Sequence, residues 1–311
     1  VALACGAGCR RGSPGAKGAG AESAARARPA VAGVPRVDGA RAVALVESLC
    51  AFGPRAPGTP GHDLAKAFLE ARLRAATPDV RVEAFSVRGD GGRIVAAANL
   101  VARFRADLED RVIVATHWDS RPRADQDPDS TRRAEPILGA NDGGSGTAIL
   151  LLLAEAMAAS PPPVGVDIVL FDAEDWGREG DLANYCLGSR HFASRLLGGP
   201  LPRAGLVVDM VGDASPMIWR ERSSTAAAPR LVDTIWGIAR ELGADAFLDQ
   251  PGVVIYDDHV PLIQAGIPAV LLIDLDYPAW HTHADRPDQV RGSSLEQVGG
   301  VVFTWVYRGA P

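Results

Sequence analysis

Four short runs of aliphatic residues, each far enough from the next to leave room for a helix, constrain this chain more than any other feature. Residues 166–171 are almost purely aliphatic, as are residues 206–211 apart from Asp209, and residues 111–116 and 269–273 repeat the pattern. Runs this short without polar alternation belong to strands covered on both faces, the position of central strands in a parallel sheet. Helical spacing of apolar residues appears at 39–52, 62–74, 145–158, 229–242, 258–264 and 293–307, the last expected to start from a serine cap. Two further strands are expected at 80–87 and 93–104. Strands alternating with helices predict an α/β fold: a single three-layer α/β/α domain with a mixed, mostly parallel central sheet. The pattern begins near Val37, so residues 37–311 are expected to form the folded unit, with no internal repeat.

Residues 1–36 differ in kind. They are rich in Gly, Ala and Ser and are expected to be a disordered leader or a lipoprotein tether. Val1-Ala-Leu-Ala-Cys5 resembles the end of a bacterial lipoprotein signal, which implies a lipid anchor at Cys5 and a periplasmic or cell-envelope location. The alternative is a translated leader with two incidental cysteines, Cys5 and Cys9. No apolar run reaches about 18 residues, so no transmembrane helix is expected. The leader holds six bases and one acid, leaving 26 bases and 37 acids, a net charge of −11, for the rest of a chain whose total is −6. An acidic body disfavours a nucleic-acid partner and suits a cationic small substrate or the free amine of a peptide. Cys50 and Cys186 lie in apolar surroundings and are expected to be buried, inert thiols.

Chemistry-bearing residues follow the aliphatic runs. His117 and Asp119 come after residues 111–116, and Glu174 and Asp175 after 166–171. Asp142 sits in Gly139-Ala140-Asn141-Asp142-Gly143, just before an apolar helix, where glycines permit close backbone approach. The bland reading of that turn is a helix cap. Asp209 is embedded in its aliphatic run, where an acid needs a partner or a metal. Trp280-His281-Thr282-His283-Ala284-Asp285 follows the run 269–273, with His283 the rival of His281 as a ligand and Asp285 able to orient a histidine. Asp257-Asp258-His259 opens a helix, which one of its acids is expected to cap. In an α/β sheet these positions gather at the carboxyl ends of the strands, where imidazoles and carboxylates can hold zinc. Asp125, Asp127 and Asp129 imitate half a calcium loop, but Ser130 and Pro136 stand where that loop needs glycine and glutamate, so a solvated loop is expected.

The order His117, Asp142, Glu174-Asp175, Asp209, His281 resembles the superfamily of zinc-dependent aminopeptidases and glutaminyl cyclases, over residues 37–307. The resemblance implies a zinc exopeptidase-like fold and a peptide substrate with a free N-terminus. In the cyclase branch it implies one zinc on Asp142, Asp175 and His281. In the peptidase branch it implies two zincs, bridged by Asp142, with His117 and Asp209 completing the sets. Both branches make Glu174 the base. Ile255-Tyr256-Asp257-Asp258-His259, Trp280 before His281 and Trp176 after the acid pair are similar to glutaminyl cyclases, and Asp172-Ala173-Glu174-Asp175-Trp176-Gly177 is most similar to bacterial forms of the animal-type glutaminyl-peptide cyclotransferase. That likeness implies that Asp209 and Asp257 share a proton and hold the leaving nitrogen, and that Trp176 and Trp280 wall the substrate pocket. Asp142-Gly-Gly-Ser-Gly146 resembles the peptidases instead. The cysteine pair of the animal cyclases is absent, so no disulfide is expected. The expected activity is glutaminyl cyclisation, with a di-zinc aminopeptidase as the alternative and an inactive surface-anchored binding module as a third reading.

Overall fold

A computed structural model describes residues 31–89, 92–196 and 199–311. Cys5, Cys9 and most of the expected leader lie outside the described residues.

Two helices, α1 (Gly39–Ala51) and α2 (Pro60–Ala76), lead into a hairpin of β1 (Val80–Arg88) and β2 (Ile94–Phe104). Then come β3 (Arg111–His117), α3 (Gly144–Ala159), β4 (Gly165–Phe171), α4 (Leu187–Arg195) and β5 (Ala204–Asp209). The chain continues through β6 (Ile218–Arg220), α5 (Arg222–Ala227), α6 (Pro229–Glu241), β7 (Phe247–Pro251), α7 (His259–Gln264), β8 (Ala269–Ile273) and α8 (Gly292–Tyr307). The main sheet has the order β1-β2-β4-β3-β5-β8. β1 and β2 pair antiparallel, as do β2 and β4, while β4, β3, β5 and β8 are mutually parallel.

The absence of polar alternation in the central strands has a direct structural cause. Val112 and Val114 enter one apolar core while Ile113 and Ala115 enter the other, and Leu206, Val208 and Val207 divide in the same way. Side chains that alternate across a sheet covered on both faces must all be apolar. The larger core packs residues of α1, α2, α3, α6 and α8 against one face, and Phe192 of α4 and Leu262 of α7 help cover the other. These are the three layers expected. α3 is apolar on nearly every side because it is buried on nearly every side.

Several local expectations need correcting. The second helix starts at Pro60 rather than 62, because Thr59 accepts the His62 N–H as its cap and proline suits the first helical position. α8 begins at Gly292 after Arg291, with no side-chain cap, so Ser293 is inside the helix and is not its cap. α7 has no side-chain cap either: the Asp257 carboxylate accepts the Asp258 N–H instead. The two-stranded sheet of β6 and β7 was not legible, since its strands are only three and five residues long. Among the described residues no helix is long and apolar enough to cross a membrane.

Candidate metal centre

Parallel alignment of β4, β3, β5 and β8 brings their carboxyl ends to one edge. His117 pairs in register with Phe171, and Asp209 with Ile273, so the residues that end these strands or follow them meet there. Asp142 arrives from the turn before α3. Two overlapping trios result, Asp142, Asp175, His281 and His117, Asp142, Asp209, each offering donor atoms within 4.8 Å of one another. All five residues are buried.

The backbone is shaped for this convergence. Gly143 has φ +74°, and a Cβ there would meet the Asp119 carbonyl at 2.5 Å and the His117 ring at 2.9 Å. Close approach is thus what the glycine provides; the turn does not cap α3 through a side chain. Ala173, Met210 and His281 all adopt left-handed φ, near +50°, beside or within the site. Non-glycine residues hold such conformations only where surrounding contacts enforce them, and they cluster at functional sites.

The two trios differ in what their atoms already do. His117 Nε2 lies 3.0 Å from Asp209 Oδ1 and 3.1 Å from Asp142 Oδ1, and its Nδ1 lies 3.3 Å from Asp119 Oδ1. By contrast, Asp142 Oδ2 and Asp175 Oδ2 are buried with no hydrogen-bond partner. They lie 3.6 and 3.3 Å from His281 Nε2. Two orphaned carboxylate oxygens facing one imidazole nitrogen are a donor set that could hold a divalent cation, since a buried polar atom without a partner is otherwise costly. A cavity of about 10 Å³ lies between Asp142, Glu174, Asp175, Asp209, Trp280 and His281, room for one ion-sized occupant.

Burial and mutual charge set the electrostatics of these residues. Burial pushes Asp142 up to about 7, with the Asp175 charge adding to it. Burial would raise Asp175 as well, but the Arg121 guanidinium and His281 outweigh it and hold that carboxyl well below its ordinary value. Burial lowers His281, which favours the neutral imidazole that binds metal. For His117 burial is overcome by the charge of Asp209 and by hydrogen bonds to the carboxylates of Asp119, Asp142 and Asp209, which raise it well above the ordinary histidine value. Burial also raises Glu174 well above its ordinary value, with the charges of Asp175 and Asp257 adding to the effect. Asp257 is raised by burial and by the Asp209 charge.

A supporting shell was largely missed in the sequence. Asp119 accepts the N–H groups of Glu174 (3.1 Å) and Asp175 (3.4 Å), fixing the acid pair against His117. Arg121 donates to Asp175 Oδ1 at 2.5 Å and to the Tyr185 hydroxyl at 2.9 Å. Arg55, fully buried, donates to the carbonyls of Trp118, Leu138 and Gly139 and so ties the Asp142 turn to the end of β3. Asp285 orients no histidine. Its carboxylate accepts the N–H groups of Asn141 and Asp142 and the Tyr277 hydroxyl, which makes it a support of the Asp142 turn. Cys50 is a free buried thiol that burial pushes up to about 11. Cys186 is also free and buried, but its Sγ lies 3.3 Å from Glu174 Oε1, so it touches the site.

Other expected residues fall elsewhere. His283 does not compete with His281: its ring and N–H both bind Asp127 at 2.9 Å. The loop of Asp125, Asp127 and Asp129 is accordingly not merely solvated, for Asp127 is buried and Asp125 pairs with Arg121. Trp280 stacks on His281 with ring centroids 3.9 Å apart and lines the small cavity. Trp176 does not line it. Its indole N–H reaches the Arg88 carbonyl, and its ring lines a separate cleft next to the site.

This edge of imidazoles and carboxylates belongs to a known class of metalloenzymes. Residues 99–306 match the model of peptidase family M28, and the chain belongs to that family. Among solved structures, a glutaminyl cyclase of Bacteroides thetaiotaomicron, bound to N-acetylhistamine, is 32% identical with a TM-score of 0.84, over 88% of this chain and 99% of that one. A structure from the same species described as a leucine aminopeptidase precursor is also 32% identical, with a TM-score of 0.85 over 89% and 99% of the two chains. Among characterised relatives, the glutaminyl-peptide cyclotransferase of Bos taurus is 24% identical over 292 residues, 81% of this chain and 77% of the relative.

Proposed function

We propose that this chain is a zinc-dependent glutaminyl-peptide cyclotransferase, which converts the N-terminal glutamine of a peptide to pyroglutamate and releases ammonia. The observation that carries this reading is the contrast between the trios. The orphaned oxygens belong to Asp142 and Asp175 and face His281, whereas His117 and Asp209 are already joined to each other. One cation on Asp142, Asp175 and His281 is what a cyclase of this superfamily needs, and the likeness to a glutaminyl cyclase supports it.

Zinc held by this trio would polarise the side-chain amide carbonyl of the substrate glutamine. Glu174, made more basic by its burial, takes a proton from the substrate α-amine as that nitrogen attacks the amide carbon. The new C–N bond closes the ring, the bond to the amide nitrogen breaks, and Glu174 returns the proton to the departing ammonia. No water is consumed. Asp209 and Asp257 hold the leaving nitrogen, and Trp280 covers His281 and limits the entry of water. Residues 37–311 form the catalytic unit in this reading, and the Val1-Ala-Leu-Ala-Cys5 string supports a lipid anchor and a cell-envelope location.

The second reading, a di-zinc aminopeptidase, is favoured by the His117, Asp142, Asp209 trio and by the likeness to the leucine aminopeptidase precursor. Metal analysis of the purified protein, combined with ammonia release from a glutaminyl dipeptide and leucine release from leucyl amide, separates the two. One zinc with ammonia supports the cyclase. Two zincs with leucine release refute it.

A further inference from the structure

Beside the metal centre lies a cleft of about 680 Å³ whose charge is opposite to that of the body around it. The chain beyond residue 36 carries 26 bases against 37 acids, yet among the described residues five arginines line this cleft, Arg88, Arg93, Arg123, Arg133 and Arg178, against Asp125 and Asp181. Among the described residues, no ion pair engages Arg88, Arg93 or Arg133. Arg133 donates through Nε to the Asp127 carbonyl, a neutral partner that fixes its stem.

The cleft is built into the site. Trp176 and Gly177, which form part of its wall, directly follow the ligand Asp175, and Arg123 donates to both their carbonyls, at 3.0 and 2.6 Å. The Trp176 indole N–H bonds the Arg88 carbonyl at 2.9 Å, docking the end of the β1–β2 hairpin against the acid-pair loop. Asp125, a third wall residue, is bound by Arg121 and lies 3.6 Å from His281 Nδ1. A peptide leaving the metal centre on this side therefore meets a tryptophan and then guanidinium groups, which pair with carboxylates in planar, two-point contacts.

We infer that this cleft binds the anionic downstream part of the peptide substrate, so that the enzyme prefers glutaminyl peptides carrying carboxylates after the first residue. The inference rests on the cyclase reading for its substrate and on the cleft alone for its charge preference. The carboxylates come from acidic side chains or from the C-terminus of a short peptide, and the two sources are separable.

The test uses zinc-loaded protein and calorimetric titration with N-acetylated peptides, which cannot cyclise. Acetyl-Gln-Ala-Glu-Glu amide presents side-chain carboxylates, acetyl-Gln-Ala-Ala-Ala acid presents only a terminal one, and acetyl-Gln-Ala-Lys-Lys amide presents neither. The expected result at low salt is binding of at least one anionic peptide about tenfold tighter than the lysine peptide, with the gap closing as salt rises. Arg88→Glu and Arg93→Glu should each reduce that preference by about fivefold and leave ammonia release from Gln-Ala amide unchanged. Arg88→Gln and Arg93→Gln, with near-ultraviolet circular dichroism, guard against misfolding. Equal binding of anionic and cationic peptides, or an undiminished preference in well-folded variants, overturns the inference. Absence of ammonia from Gln-Ala amide refutes the cyclase reading instead, and the binding comparison still decides the cleft.

Discussion

Replacing Arg121 by methionine tests whether the metal centre depends on a cation contributed by the protein. Arg121 and Asp175 are both buried, with side-chain exposures of 1% and 2%, and their charged atoms are 2.5 Å apart. Removing one member of such a pair strands the other in a low-dielectric setting, at a cost of about 3–5 kcal/mol. The second partner, Asp125, is 22% exposed, so losing its contact adds less than about 1 kcal/mol. Methionine keeps much of the apolar stem, so most of the change is electrostatic. At roughly 2–4 °C per kcal/mol for a chain of this size, the midpoint of thermal unfolding should fall by about 6–20 °C. The measurement is circular dichroism in the presence of a chelator, so that bound metal does not mask the loss. Tyr185→Phe is the companion variant. It removes only the hydroxyl that Arg121 reaches at 2.9 Å and should cost about 1 kcal/mol. A fall of less than about 2 °C for Arg121→Met, or an equal fall for Tyr185→Phe, would refute the charge argument, the second by showing that the hydrogen bond to the Tyr185 hydroxyl is what matters.

Glu174→Gln should lower turnover about 10²–10⁴-fold while leaving zinc content unchanged, a split that steady-state ammonia release and metal analysis detect together. Asp285→Ala removes the acceptor of the Asn141 and Asp142 N–H groups and should weaken zinc binding about 10–100-fold in competition with a chelator, although Asp285 donates nothing to the metal. Glu221, held down to about 2 because the His259 imidazole and the N–H groups of Ser223 and Ser224 together outweigh burial, contributes a pH-dependent part of the stability. Its folded pKa lies below the ordinary value of 4.5, so its contribution is complete above about pH 4.5 and disappears as pH falls through about 2. The difference in urea midpoint between the parent and Glu221→Gln should therefore shrink between pH 5 and pH 2, and a constant difference would contradict it.

What the sequence disclosed, and what it withheld, follows from where each residue gets its partners. Asp209 was conspicuous because its neighbours are aliphatic on both sides, and a charge in such a run has few explanations; it indeed meets His117 at the sheet edge. His281, Asp142 and Asp175 were found because each follows a strand or precedes a buried helix, and parallel strands bring such positions together whatever their distance along the chain. Arg121 gave no comparable signal, and Asp119 showed only its place after His117, not its role. A charged residue in a polar loop looks solvated, and the feature that makes these two matter, burial against the Glu174-Asp175 turn, exists only after folding. Trp176 was expected by resemblance to wall the pocket together with Trp280. It shares a turn with Asp175, and its ring lines the neighbouring cleft rather than the small cavity. The indole turns toward the end of the β1–β2 hairpin, where it joins the arginines in the wall of the cleft to which we assign the downstream peptide.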